Sequence, residues 1–182
     1  MSAKIRLKDT IIYQIATNIL SHYECPSDCP AHCCKAKTIE MDAIDLKELS
    51  NVSKAKTEDL DFRVTNSTTY YSLKNPCPFL SESGKCGAYE YRPTICRIYP
   101  FNTSPEPGMF TIDPCKMGII ILCDLYKHMM EIEKESVPGH VYIALKECSD
   151  IFERNKGIAY NVTGFGFSIE YLKIFSDYLN SK

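Results

Sequence analysis

Apolar residues recur with a helical period at both ends of this chain and lose it in the middle. From about Lys8 to Leu20, Ile11, Ile12, Ile15 and Ile19 share one face of a 3.6-residue repeat, which predicts an amphipathic helix leading directly to Cys25. Asp42 and Asp45 ahead of Leu46 and Leu49 predict a short capped helix, and Thr57-Glu58-Asp59 reads as another helix start. Thr68–Leu73 and Met109–Ile112 are rich in β-branched and aromatic residues and predict strands. Between them, segment 75–107 is dense in Pro and Cys and reads mostly as loop. Met117 to about Glu135 predicts a helix burying Ile121, Leu122, Leu125 and Met129. Val141 to about Arg154 predicts a second, burying Val141, Ala144, Leu145, Cys148 and Phe152, and Ile169 to Leu179 a third. Gly164-Phe165-Gly166-Phe167 reads as a turn.

These elements predict an α+β, mostly α fold: a single irregular domain (1–182) with a cysteine-rich metal-binding loop core (20–120), flanking helices and a helical C-terminal part (121–182). At 182 residues and 45% hydrophobic, the chain can bury an ordinary core without covalent staples. A net charge of −2 and a pI near 6.1 give no reason to expect nucleic-acid binding. The opening residues interleave charges with apolar positions and do not read as a signal peptide, and the apolar run Ile119–Cys123 is far too short to cross a bilayer. The expectation is a cytoplasmic protein away from membranes, in a reducing compartment where thiols stay available for metal.

The chemistry is concentrated in cysteine. Eight of the ten cysteines form a staged series: Cys25-x3-Cys29-x3-Cys33-Cys34, then Cys77, Cys86, Cys96 and Cys115. Thiolates are soft ligands suited to zinc and iron–sulfur clusters. Pro26 and Pro30 oppose a helix through the first group, so Cys25, Cys29 and Cys33 are expected on a loop whose free amides face sulfur. Structural zinc sites pair two short knuckles. Here eight, nine and eighteen residues separate the later cysteines, a spacing suited to a site assembled by tertiary structure, as in many iron–sulfur proteins.

Eight sulfurs are twice what one zinc or one cubane takes, so there are two sites or some cysteines are spectators. Neighbouring residues seldom face one metal, which makes Cys34 the first candidate spectator; Cys25, Cys29 and Cys33 are expected to ligate, with the rest of the shell drawn from Cys77, Cys86, Cys96 and Cys115. Cys123 and Cys148 fall inside helical patterns and read as small buried residues. Arg92 and Arg97 flank Cys96, and Lys85 and Lys116 adjoin Cys86 and Cys115. The arginines are expected beside the sulfurs, balancing thiolate charge; the alternative pairs Arg92 with Glu90 on the surface. His32 reads equally as a ligand or as a neighbour of the ligands.

The string Cys25…Cys29…Cys33-Cys34, Cys77-Pro-Phe-Leu80, Cys86, Tyr89, Tyr91-Arg92-Pro93, Cys96-Arg97 and Tyr99-Pro100-Phe101 resembles the YkgJ-like cysteine-cluster family. That family is also called the zinc- or iron-chelating CxxCxxCC domain and is related to flagellin lysine N-methylases. Cys115-Lys-Met-Gly118 looks like its later Cys-x-x-Gly element, and the resemblance spans roughly residues 20–120. The chain departs from the family name in having three residues in each gap before the Cys-Cys pair. The resemblance implies a bound metal and, in some relatives, S-adenosylmethionine-dependent methylation.

Three functions are therefore weighed. The first is an iron–sulfur protein, with a [4Fe–4S] cluster, in redox or cluster-dependent chemistry with a protein partner. The second is a zinc module whose metal fixes loops for partner binding. The third is a protein lysine methylase, for which no Gly-rich nucleotide cradle is visible and for which Cys25-x3-Cys29-x3-Cys33 misses the radical C-x3-C-x2-C spacing by one residue. The sequence offers no Ser-His-Asp set, HExxH or phosphate loop that would support a hydrolase or kinase.

Overall fold

A computed structural model describes residues 7–35, 38–50, 60–65, 68–103, 108–133, 150, 154 and 165–182. The expected helix over Val141–Arg154, with Cys148, and the helix start at Thr57 lie outside the described residues. The fold is α+β, and among the described residues it has two small three-stranded sheets whose strand pairings are all antiparallel. It divides into two compact units: the first draws on Met1–Ser27, Ile98–Asn155 and Ala159–Lys182, and the second on Asp28–Arg97.

In the first unit, helix α1 (Ile11–Leu20) begins where the Thr10 side chain accepts from the Tyr13 amide. Its buried stripe is Ile15, Ala16 and Ile19, whereas Ile11, expected on that face, is 53% exposed because it sits in the first turn. Strands β4 (Phe101–Thr103), β5 (Met109–Ile112) and β6 (Phe165–Ser168) form one sheet in the order β4-β5-β6. The segment around Gly166, read as a turn, is thus a strand, paired over Phe165–Ser168 with β5. A Cβ at Gly166 would meet only ordinary contacts, so its glycine does not interrupt the ladder. Helices α5 (Lys116–Glu133) and α6 (Ile169–Asn180) also belong to this unit. Its core gathers Ile19, Phe101, Phe110, Ile112, Ile121, Leu122, Leu125 and Phe175, all essentially inaccessible to solvent. Ser168 caps α6 by accepting from the Tyr171 amide at 3.2 Å. Ser168→Ala is expected to lower unfolding free energy by about 1 kcal/mol, measured by denaturant titration.

His128 on α5 is buried and faces α6, its ring centroid 4.2 Å from Tyr178 and 5.6 Å from Phe175. Tyr171 hydroxyl donates to the Leu125 carbonyl at 3.1 Å, so the 3.2 Å contact with His128 Nδ1 is best made by an Nδ1–H donor. Burial lowers the His128 pKa from its ordinary value, Glu131 opposes this, and Lys182 adds to it. A histidine depressed in the folded state contributes stability above its unfolded value near 6.5, which is lost as pH falls through the folded value. Melting temperature is therefore expected to fall on acidification below about pH 6.5, with a shallower decline in His128→Gln.

In the second unit, strands β1 (Ile39–Met41), β2 (Leu60–Thr65) and β3 (Thr68–Leu73) pair in the order β1-β3-β2. Helix α3 (Ala43–Ser50) is capped as expected, with Asp42 Oδ1 accepting from the amides of Ile44 and Asp45, both at 2.8 Å. Two very short helices, α2 (His32–Lys35) and α4 (Thr94–Ile98), carry cysteines. The unit's core is Ile39, Met41, Leu49, Leu73, Cys77 and Ala88, with Cys34, Cys86, Ile95 and Cys96 packed against it. Sulfur is therefore part of this hydrophobic core. Among the described residues no helix is long and apolar enough to cross a membrane.

Candidate metal centre

Four stretches of the second unit bring thiols together. Ala31 holds the left-handed φ of 55°, costing a non-glycine residue about 1–2 kcal/mol, and its carbonyl accepts from the amides of Cys34 and Lys35 to close the α2 turn. Cys33 and Cys34 thus sit on a helical turn, while Cys25 and Cys29 lie in irregular chain before it. The loop expectation holds for Cys25 and Cys29 and fails for Cys33. The Cys34 carbonyl then accepts from the Cys77 amide at 2.7 Å, fixing Cys77 beside α2.

A tight turn returns the chain from Cys77 to Cys86. Ser81 amide donates to the Lys85 carbonyl, Ser81 Oγ accepts from the Lys85 amide at 3.0 Å, and Gly84 supplies the positive φ of 77°. Leu80 bridges Cys86, and the Gly87 amide donates to Phe79 carbonyl at 2.7 Å. Cys96 follows on α4, whose first turn is closed by the Pro93 carbonyl accepting from Cys96 and Arg97 amides.

The electrostatics of these groups register their proximity. Burial pushes the Cys96 thiol up to about 12, Cys77, Cys33 and Cys86 push it the same way, and Arg92 pulls it down. Burial likewise raises Cys77, against the backbone amides of Phe79 and Leu80, which favour its thiolate, while Cys86 and Cys33 add to the rise. Cys33 is raised chiefly by its side-chain contact with Cys34, their sulfurs 3.9 Å apart, and then by burial. Of the eight expected cysteines, the fold thus places Cys33 and Cys86 both close enough to act on Cys77 and on Cys96. Cys29 lies in the same unit, half-buried. Cys34 touches this set through its sulfur, at Cys33, and through its backbone carbonyl, at Cys77, while it also packs on the apolar core.

Cys25 and Cys115 belong to the first unit. Cys25 is exposed, with its sulfur 3.8 Å from the Met117 thioether. Cys115 stands at the N-cap of α5: its sulfur accepts from the Gly118 amide at 3.3 Å and its carbonyl from Ile119. Cys123, read as buried, is only half-buried on α5. His32's side chain is outside the described atoms.

The two arginines take different posts. Arg92 stacks its guanidinium 3.7 Å over the Tyr89 ring, donates to the Tyr89 carbonyl, and acts electrostatically on Cys96. Arg97 donates to the carbonyls of Arg92 and Glu90 at 2.8 and 2.7 Å, clamping the Tyr89–Tyr91 turn onto α4. Its role is to hold backbone.

Among the described residues no three Cys, His, Asp or Glu side chains converge as a ready coordination shell. The chemistry of the donor set nevertheless fits a soft metal: Cys77 and Cys96 lie in the field of each other, of Cys33 and of Cys86, with two backbone amides aimed at Cys77 and one cation near Cys96.

Two residues take parts that the sequence did not assign them. Asp45, expected only as a helix-start acid, is 8% exposed and binds Thr94 at the head of α4. Gly118 is needed because an ideal Cβ there would overlap the Asp113 carbonyl, which itself accepts from the Cys115 amide. No local pattern announces the first; the Cys-x-x-Gly spacing signalled the second without its reason.

No curated protein and no solved structure gives a significant match to the chain. Residues 24–117, just over half the chain, match the CxxCxxCC family, described as a putative zinc- or iron-chelating domain, despite the three-residue gaps before Cys33. The YkgJ-like resemblance names the same family. With its cysteines gathered as described and this match covering them from Cys25 to Cys115, the chain belongs to the CxxCxxCC family and is a metal-binding protein.

Proposed function

We propose that the chain is an iron–sulfur protein of a reducing, cytoplasmic compartment that exchanges electrons with a protein partner, holding its cluster in the second unit through Cys33, Cys77, Cys86 and Cys96. The observation that carries this reading is the gathering of Cys77, Cys86 and Cys96 in one packed core, tied to the Cys33–Cys34 turn through the Cys77 amide, from positions spread over 63 residues of sequence. When bound, a [4Fe–4S] cluster would supply a one-electron couple. The protein's own residues would set its environment. Amides of Phe79 and Leu80 stabilise the Cys77 thiolate, and Arg92 offsets negative charge at Cys96. The apolar core formed by Leu49, Ile39 and Ala88 limits water around the sulfurs.

The packing of Cys86, Cys96 and Cys77 with that core also favours a second reading, a structural zinc site whose metal completes the unit. Anaerobic purification with iron, zinc and acid-labile sulfide quantified beside an absorption spectrum separates the two. Iron and sulfide in equal amounts, with visible absorption that bleaches on reduction, supports the cluster. Stoichiometric zinc with a featureless spectrum rejects it in favour of the structural site.

A further inference from the structure

The second unit buries a carboxylate that no ligand set requires. Asp45 is 8% exposed, and both of its oxygens are engaged: Oδ2 accepts from the Thr94 amide at 3.1 Å and Oδ1 from the Thr94 hydroxyl at 2.7 Å. Thr94 is itself 9% exposed and is the first residue of α4, two positions before Cys96. The connection spans 49 residues of sequence, so it is a tertiary tie. Its origin is rigid: the Asp45 amide is held by Asp42 at the start of α3, and Leu49 on the same helix is wholly buried in the core. Its target is short. A five-residue helix has little hold of its own, and its register is set by what grips its ends.

Burying a carboxylate is unfavourable, and here burial raises the Asp45 pKa against the pull of both Thr94 hydrogen bonds. Fixing a position is one use to which a costly buried polar tie is put. We propose that Asp45 is a positioning residue for the metal site: by gripping the head of α4 it fixes Cys96 relative to Cys33, Cys77 and Cys86. This rests on the reading that those four thiols hold metal. It gives a residue outside the cysteine set a defined part in that site, acting through Thr94.

The test is cobalt(II) titration of the full-length, anaerobically reduced chain, following the sulfur-to-cobalt absorption and competing the bound ion with a chelator. Asp45→Ala is expected to weaken cobalt binding about 10–100-fold, the usual loss when a ligand's supporting partner is removed, and to alter the absorption. Asp45→Asn, whose one side-chain oxygen can still accept from Thr94, should recover most of the affinity. Thr94→Val, which keeps the amide and loses the hydroxyl, should fall between and carries the test if Asp45→Ala does not fold. Wild-type cobalt affinity and spectrum in folded Asp45→Ala or Thr94→Val, even with a lowered melting temperature, would overturn the proposal, because a purely structural tie would leave the metal untouched. Absence of thiolate-bound cobalt in the wild type would overturn the four-thiol reading itself, and the proposal with it.

Discussion

Replacing Cys96 with serine is expected to abolish stable metal binding, with an affinity loss beyond the 10–100-fold typical of disturbing a ligand's neighbour. The thiol lies against the apolar core on α4, within the field of Cys77, Cys33 and Cys86. Serine's harder oxygen is a poor substitute for a thiolate toward zinc or iron–sulfur centres. Metal and sulfide content per chain after anaerobic purification measures the effect. Cys34→Ser is the paired comparison, because its sulfur stands 3.9 Å from that of Cys33, adjacent residues seldom face one metal, and its backbone carbonyl, which ties Cys77, survives the change. It is expected to retain most of the metal, whereas equal loss in both variants would place Cys34 among the ligands.

The second large effect is expected at Gly118. Alanine at a helical glycine ordinarily stabilises by about 0.8–1.0 kcal/mol. Here the added methyl would collide with the Asp113 carbonyl, which is backbone and closes the turn into Cys115. To relieve the overlap the turn must open, disturbing the Gly118 amide's hydrogen bond to the Cys115 sulfur. Gly118→Ala is therefore expected to destabilise by about 1–3 kcal/mol or more, the range seen when a group is forced into filled space. Gly166→Ala makes the comparison, since its Cβ would meet Met109 Cε at 3.5 Å and Phe110 carbonyl at 3.7 Å, ordinary contacts. A thermal melt in which the two alanine variants behave alike would contradict the steric account.

Much of the helical framework was legible in the sequence because its signals are local. Ile15 and Ile19 mark the buried face of α1, and Ile121, Leu122 and Leu125 that of α5. Asp42 announced the start of α3 through a cap that depends on residues two and three positions away. The three-residue strands β1 and β4 are too short to display an alternating pattern, and β6 contains a glycine that reads as a turn. For the site, the cysteines and their suitability for a soft metal were visible as composition. Their grouping was not, because the stretches from Cys33 to Cys77 and from Cys77 to Cys96 are closed by contacts the sequence does not spell out. The Cys34 carbonyl on the Cys77 amide, the Ser81–Lys85 turn and the Asp45–Thr94 tie do that work. Arg97 shows the same limit from the other side: adjacency to Cys96 suggested a partner for sulfur, and tertiary geometry gives its donors to backbone carbonyls.

The most direct test of the four-thiol centre is X-ray absorption at the metal edge of the anaerobically purified protein, recorded for the wild type and for Cys96→Ser. The account predicts a first shell made of sulfur, at about 2.3 Å if the ion is zinc, and loss of that signal in the variant. A shell dominated by nitrogen or oxygen, or a sulfur shell unchanged by removal of Cys96, would contradict it.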